Sequence, residues 1–206
     1  LDYLSTIHQQ VTDKKAITGI PTWKDELYLE FHRGCYTTHA DQKYFNRRCE
    51  SLLYQAELWA SLATIILDNL NFPYPKMELE AAWKKVLFNQ FHDILPGTSI
   101  SEVFTEANRA WREVETTTQK IITNSLKAIA SQIILPKPPY PDAQPIIIFN
   151  ALNWRRSAVV SCPFPAANWG ICDLEGEVLP TQISTDNRLL FFAENVPAIG
   201  YRVFWL

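Results

Sequence analysis

A histidine followed directly by an aspartate is the clearest candidate for chemistry in this 206-residue sequence. His92 and Asp93 stand within NQFHDILPGTSI (89–100), where one predicted helix ends and a Pro-Gly turn leads into the next. Adjacent helical side chains diverge by about 100°, so the two residues would not easily bind one metal ion together. The spacing favours a division in which His92 ligates a metal and Asp93 makes a supporting contact or binds a substrate hydroxyl.

The same pair also has a structural explanation. An imidazole at a helix end can meet exposed carbonyl groups, and an aspartate can cap the following turn. A zinc site needs three or four ligands, and the nearby sequence does not supply them, so residue types alone favour the structural explanation. A phosphohydrolase of the His-Asp type would need further spaced ligands, and His8, His32 and His39 form no such series.

A second polar group lies in ELYLEFHRGCYTTHADQ (26–42). His32 and Arg33 follow a strand-like alternation and precede a helix start, where free backbone N–H groups could orient hydroxyls or an anion. The alternative is a structural turn in which Arg33 pairs with a carboxylate, Gly34 permits a left-handed bend and Thr38 caps the helix. Taken alone, this segment favours the structural turn.

Three long helices are predicted before residue 131 from apolar residues at helical spacing. The first begins at an N-cap formed by Thr38 and ends before Pro73. The second stops by Pro96, and the third begins at a capping box formed by Ser99 and Glu102. Short joints between long helices indicate an antiparallel bundle.

The rest of the chain has a different composition, because nine of the 13 prolines lie after residue 130. The Pro-rich stretch 133–145 predicts an extended linker, and the short β-rich runs after it indicate an antiparallel sandwich that continues beyond this chain. The predicted fold class is therefore α+β, an antiparallel three-helix bundle over 26–132 followed by a partial antiparallel β-sandwich over 146–206. The expected strands are 146–149, 158–162, 178–183, 189–193 and 201–206.

Composition argues against several classes of protein. Lys and Arg number 19 and Asp and Glu 22, so the net charge of −3 gives no strong field for nucleic acid or anionic lipid. The longest apolar run, 59–67, is shorter than the roughly 18 residues that a membrane span needs. The first residues carry no targeting signal and no initiator Met, which indicates a piece of a longer protein. The four cysteines lack C-x-x-C spacing, so we expect reduced thiols and a cytoplasmic location.

Three longer stretches of the chain are distinctive: ELYLEFHRGCYTTHADQKYFNRRCE (26–50), AWKKVLFNQFHDILPGTSISEV (82–103) and IIIFNALNWRRS (146–157). They resemble the α-mannosidases of glycoside hydrolase family 38, especially the bacterial and cytosolic-type branch, and they stand in the same order as in that family. The segment ENVPAIGYRVF (194–204) near the end resembles the family's β domain. The resemblance implies a parent in which a zinc-bearing β/α barrel precedes the bundle and the β-sandwich domains.

The resemblance also implies roles for individual residues. His92 would be a zinc ligand supplied by the bundle, Asp93 would hydrogen-bond mannose hydroxyls, and His32 and Arg33 would lie near the substrate. Residues 1–25 would be the tail end of the barrel and a connector, so the nucleophile, the general acid and the other zinc ligands would lie in the missing barrel. The parent would be a zinc-dependent retaining enzyme that hydrolyses terminal α-mannosides. This fragment, inactive alone, would contact the barrel and the remaining β domains.

The competing hypothesis is a non-catalytic module for carbohydrate binding or protein interaction that shares this architecture. Hydrophobic patterning cannot separate the two hypotheses, because both need the same helical core. Dependence of mannosidase activity on His92 and zinc separates them, since an interaction module has no need of that imidazole.

Overall fold

The computed structural model describes residues 2–13, 23–27, 30–68, 71–163 and 169–206. The described chain is α+β, as predicted, with several helices and two antiparallel sheets. It divides into two compact units, residues 1–36 and residues 37–206. No helix in the described ranges combines the length and the apolar character needed to cross a membrane.

The first unit contains helix α1 (Asp2–Thr12) and a 3-10 helix (Glu30–Tyr36). The strand-like alternation predicted before His32 is therefore wrong from residue 30 onward, while residues 28 and 29 lie outside the described part. Short i to i+3 hydrogen bonds satisfy the backbone here without a partner strand. Of the predicted tail and connector 1–25, residues 14–22 also lie outside the described part.

The second unit opens with helices α2 (Ala40–Leu67), α3 (Lys76–Asn89) and α4 (Ser101–Ala130). Each of the three helices contacts the other two. Apolar side chains at helical spacing form their shared core, which includes the buried residues Trp59, Val86 and Trp111. Burial of these side chains against one another provides the main stabilisation of the helical part.

The predicted Thr38 cap of α2 is wrong. The residue before α2 is His39, which has a left-handed backbone (φ 50°, ψ 61°) and makes no side-chain cap. Its ring instead stacks on Phe104 of α4, with the ring centroids 3.8 Å apart. Helix α2 therefore starts one residue later than the local pattern indicates.

The predicted capping box of α4 is also wrong. The helix begins after Ile100, which makes no side-chain cap. The Ser99 hydroxyl donates to the backbone carbonyl of Asp93 at 2.7 Å, and so it is engaged by the preceding turn. A serine hydroxyl can satisfy any backbone group within reach, so a sequence pattern does not decide which one it takes.

Two antiparallel sheets complete the second unit. The first sheet has the strand order β1 (Pro145–Asn150), β7 (Gly200–Trp205), β3 (Ile171–Cys172) and β4 (Val178–Leu179). The second has the order β2 (Arg156–Pro163), β6 (Arg188–Val196) and β5 (Thr181–Ile183). All five predicted runs contain strands, and β3 is a strand that the sequence analysis missed.

The run 178–183, predicted as one strand, divides between the two sheets. Val178–Leu179 belongs to the first sheet and Thr181–Ile183 to the second, with Pro180 between them. Proline has no backbone N–H to donate to a ladder, so the pairing breaks there and the chain changes sheets. A buried cluster that includes Phe191 and Phe204 lies between strands of both sheets.

An aromatic contact joins the helices and the sheets of the second unit. The rings of Trp59 on α2 and Phe149 on β1 meet edge to face, with centroids 5.4 Å apart. The Tyr54 hydroxyl also lies 3.5 Å from the carbonyl oxygen of Ala151. The four cysteines form no disulfide.

Candidate functional site

The His92–Asp93 pair lies in the turns that join α3 to α4. Because α3 ends at Asn89, neither residue is helical and the predicted divergence of their side chains does not occur. His92 Nε2 lies 3.4 Å from Asp93 Oδ2, and the two side chains are 78% and 52% exposed. The imidazole and the carboxylate therefore form one polar site open to solvent.

The two oxygens of the Asp93 carboxylate have different neighbours. The Thr98 hydroxyl donates to Oδ1 at 3.1 Å, while Oδ2 faces His92. The Ser99 hydroxyl holds the Asp93 backbone carbonyl at 2.7 Å. The carboxylate thus has a set direction and keeps acceptor capacity toward solvent, which suits hydrogen bonds from hydroxyl groups.

The turn itself is tied down by backbone hydrogen bonds and one buried side chain. The N–H groups of Ile94 and Leu95 both donate to the carbonyl of Phe91, and that of Gly97 donates to Ile94. Ile94 is buried and anchors the turn in the core, whereas the Phe91 ring is half exposed beside the imidazole of His92. Ile94 thus fixes the turn to the protein interior, while His92 and Asp93 remain exposed on its solvent side.

The start of α2 packs directly against this turn. Gly97 has φ +87°, and a Cβ there would lie 2.8 Å from the carbonyl oxygen of Thr38. The Lys43 ammonium group donates to the Thr38 carbonyl and, at 3.1 Å, to the Pro96 carbonyl. Sequence reasoning missed Lys43 entirely. The signal for the contact was Pro96-Gly97, a dipeptide typical of tight turns.

His32 and Arg33 lie in the other compact unit. Both side chains are exposed in the 3-10 helix, which is kinked at His32 (φ −123°, ψ 37°). The structure therefore brings His92 and Asp93 together. The grouping of His32 and Arg33 with them at a substrate site stays a prediction.

The side chains that could bind a metal do not form a complete zinc site in the described part of the chain. Within the described ranges, no three His, Cys, Asp or Glu side chains are grouped so that they could hold a metal ion. Structural and catalytic zinc sites use three or four protein ligands. The exposed His92 imidazole fits one such ligand, so this part of the chain fits a share of a zinc site and not a whole one.

Comparison with known proteins identifies the helical part. Residues 30–129 match the family model described as the alpha mannosidase middle domain. This segment belongs to the α-mannosidase middle-domain family. It includes α2, α3, most of α4 and every residue of the His92–Asp93 turn.

Curated α-mannosidases are similar to a larger part of the chain. Alpha-mannosidase 2C1 is 33% identical in mouse and 37% identical in human over 144 residues, which are 70% of this chain and 13% of each relative. The alpha-mannosidase of Saccharomyces cerevisiae is 42% identical over 85 residues, 41% of this chain and 8% of the yeast protein. The chain therefore spans a small part of the length of these relatives.

Two solved structures share the fold over almost the whole chain. One is a glycosyl hydrolase family 38 protein from Enterococcus faecalis, with a TM-score of 0.66 and 15% identity over 99% of this chain and 27% of that one. The other is an alpha-mannosidase from Enterococcus faecalis V583, with a TM-score of 0.66 and 18% identity over 99% and 28%. Together with the middle-domain match, these likenesses support the resemblance to a segment of a family 38 α-mannosidase.

Proposed function

We propose that this chain is part of a glycoside hydrolase that removes terminal α-mannosyl residues, and that His92 and Asp93 belong to its active site. The supporting observation is the open His92–Asp93 pair, held by Thr98 within the segment that matches the middle-domain family. Both side chains are exposed, and the buried Ile94 holds their turn in place, so the pair is suited to bind a substrate at a contact with other domains.

His92 is the proposed zinc ligand. Its imidazole is exposed and its Nε2 atom lies 3.4 Å from the Asp93 carboxylate, so a small shift of either side chain would free the nitrogen for a metal. A bound zinc would act as a Lewis acid toward sugar hydroxyls. The other ligands would come from a barrel outside this chain, and the isolated chain would bind zinc weakly.

Asp93 is the proposed substrate contact. Its carboxylate can accept hydrogen bonds from sugar hydroxyls while Thr98 keeps Oδ1 in place. His32 and Arg33 are proposed as further substrate contacts from the first unit. Retaining glycosidases use two carboxyl groups, one as nucleophile and one as acid and base. We assign neither role within this chain, so the isolated chain would be inactive.

The proposed domain division accompanies this function. Residues 1–25 would end the barrel and connect it to an antiparallel three-helix bundle over 26–132, and the linker 133–145 would lead to a partial β-sandwich over 146–206. The partners would be the barrel, the further β domains and an α-mannoside or oligosaccharide, without nucleic acid or membrane. A reducing, cytoplasmic compartment is proposed from the four unpaired cysteines.

Hydrolysis of an aryl α-mannoside by the full-length parent protein tests this function. His92→Ala should lower kcat/KM by roughly a hundredfold or more and reduce bound zinc, without a change in circular dichroism, because the imidazole is exposed. His8→Ala removes an exposed histidine from α1 and serves as the matched control.

Two results would contradict the proposal. Equal turnover by the wild type and His92→Ala would leave the histidine with a structural role only. Absence of turnover in the wild-type parent would favour a carbohydrate-binding or interaction module. A zinc titration of the isolated chain adds a separate test of the shared metal site, since tight binding would mean that the chain holds a complete one.

A further inference from the structure

We propose that Lys43 is a positioning residue for the His92–Asp93 pair, and this inference rests on the proposed function of that pair. Lys43 lies in the first turn of α2 and has no direct contact with either residue. Its ammonium group donates to the backbone carbonyls of Thr38 and Pro96. The lysine thereby joins the start of α2 to the turn that carries the pair.

Among the described residues, the hydrogen-bond acceptors of the Lys43 ammonium group are backbone carbonyl groups. In the described part of the chain, no carboxylate lies within ion-pair distance of its ammonium group. The carbonyl of Pro96 belongs to a residue 53 positions away in the sequence. Charge-assisted hydrogen bonds are stronger than neutral ones, so a lysine placed between two turns holds both against movement.

A second contact holds the same two turns together. A Cβ on Gly97 would lie 2.8 Å from the oxygen and 2.9 Å from Cγ2 of Thr38, so only glycine allows this approach. The close backbone contact brings the Pro96 carbonyl within reach of the Lys43 ammonium group. Lys43 and Gly97 thus hold the turn in one position against the start of α2.

A movement of Pro96 and Gly97 would also move Asp93, because the two residues that follow them are hydrogen-bonded to it. The next residues are Thr98 and Ser99, whose hydroxyls donate to the Asp93 carboxylate and to the Asp93 backbone carbonyl. When the ammonium group is removed, the segment Pro96–Ser99 loses its hydrogen bond to α2. The direction of Asp93 and of the adjacent imidazole then changes without loss of the helical core.

The test uses the 206-residue chain, so it needs neither zinc nor substrate. Lys43→Met removes the ammonium group at nearly constant length, and Lys43→Arg keeps a cation that can donate to two carbonyls. Lys84→Met is the matched control, because Lys84 is an exposed helical lysine that pairs with Glu80 one turn away on the same helix. The readouts are amide hydrogen exchange over 91–99 and the NMR signals of the histidine rings, assigned with His92→Ala.

Lys43→Met should raise exchange over 91–99 by roughly tenfold and shift the His92 ring signals, while exchange in α4 stays nearly constant. Lys43→Arg should restore both readouts, and Lys84→Met should change neither. Unchanged His92 signals and exchange in Lys43→Met would overturn the inference. An equal rise in amide hydrogen exchange across α2, α3 and α4 would also overturn the inference, because the lysine would then stabilise the whole fold.

The failure of this inference is separable from that of the proposed function. If His92→Ala abolishes hydrolysis by the parent but Lys43→Met leaves kcat/KM unchanged, His92 is functional and Lys43 does not position it. If His92→Ala has no effect on hydrolysis, the proposed function fails whatever the NMR signals show.

Discussion

The indole N–H of Trp111 on α4 donates a 2.8 Å hydrogen bond to the side-chain oxygen of Gln42 on α2, and both side chains are fully buried. Gln42 in turn donates to Asn108, so the buried amide is satisfied on both ends. A buried polar pair between two helices contributes to stability only while both members have partners. The bond therefore links α2 to α4 inside the helical core.

Trp111→Phe should lower the free energy of unfolding by about 1–3 kcal/mol, because it leaves the buried Gln42 oxygen without a donor. Urea denaturation followed by circular dichroism measures the change. Trp154→Phe is the control, since that ring is 59% exposed and should change stability by about 0.5 kcal/mol or less. A loss no greater than that of the control would show that the indole N–H is dispensable.

Gly97→Ala should destabilise the chain by about 1–3 kcal/mol, because the residue has positive φ and the new Cβ would meet the Thr38 carbonyl at 2.8 Å. Gly170→Ala is the matched control, since among the described residues no heavy atom outside the glycine and its two chain neighbours lies within 4 Å of a Cβ there. Denaturant midpoints of the two variants at equal m-value give the comparison. Equal midpoints would mean that the turn accommodates a methyl group by moving away from α2.

Thr98→Val should reduce kcat/KM of the parent hydrolase by roughly tenfold, because the isosteric side chain no longer donates to Asp93 Oδ1. Thr98→Ser keeps the hydroxyl and should retain activity within about threefold. Hydrolysis of an aryl α-mannoside, with melting temperature as a check of folding, measures both. Full activity in the valine variant would show that this hydrogen bond does not orient the carboxylate for catalysis.

The thiol of Cys49 should be unreactive in the folded chain. Burial, with a smaller contribution from the Glu115 carboxylate, raises its pKa from 9.0 to about 12. The folded state therefore holds the proton more tightly than the unfolded state, so the stability contributed by Cys49 is lost as pH rises from 9.0 toward about 12.

Labelling with an aromatic disulfide at about pH 8 tests this protection. The half-buried Cys35 should react at least roughly tenfold faster than Cys49, and all four cysteines should react in denaturant. Cys35→Ser should remove the fast phase, whereas Cys49→Ala should leave it intact. Fast reaction that disappears in Cys49→Ala would show that the helical core opens readily.

Local patterns in the sequence determined the α+β class, three helices of the second unit and the five strand-forming runs, because hydrophobic periodicity depends on near neighbours. They also singled out His92 and Asp93, since a polar pair beside a Pro-Gly turn stands out between apolar stretches. The family resemblance added zinc and mannose to the roles that the residue types had already indicated for the pair.

Only the tertiary structure decided which distant groups meet. Lys43 reaches Pro96 across 53 positions and Trp111 reaches Gln42 across 69. The predicted caps were wrong as well: the residue before α2 is His39, whose ring stacks on the distant Phe104, while the Ser99 hydroxyl bonds to the Asp93 carbonyl in the preceding turn. Hydrogen-bonding groups take whichever partner folding brings within reach, and spacing along the chain does not contain that information.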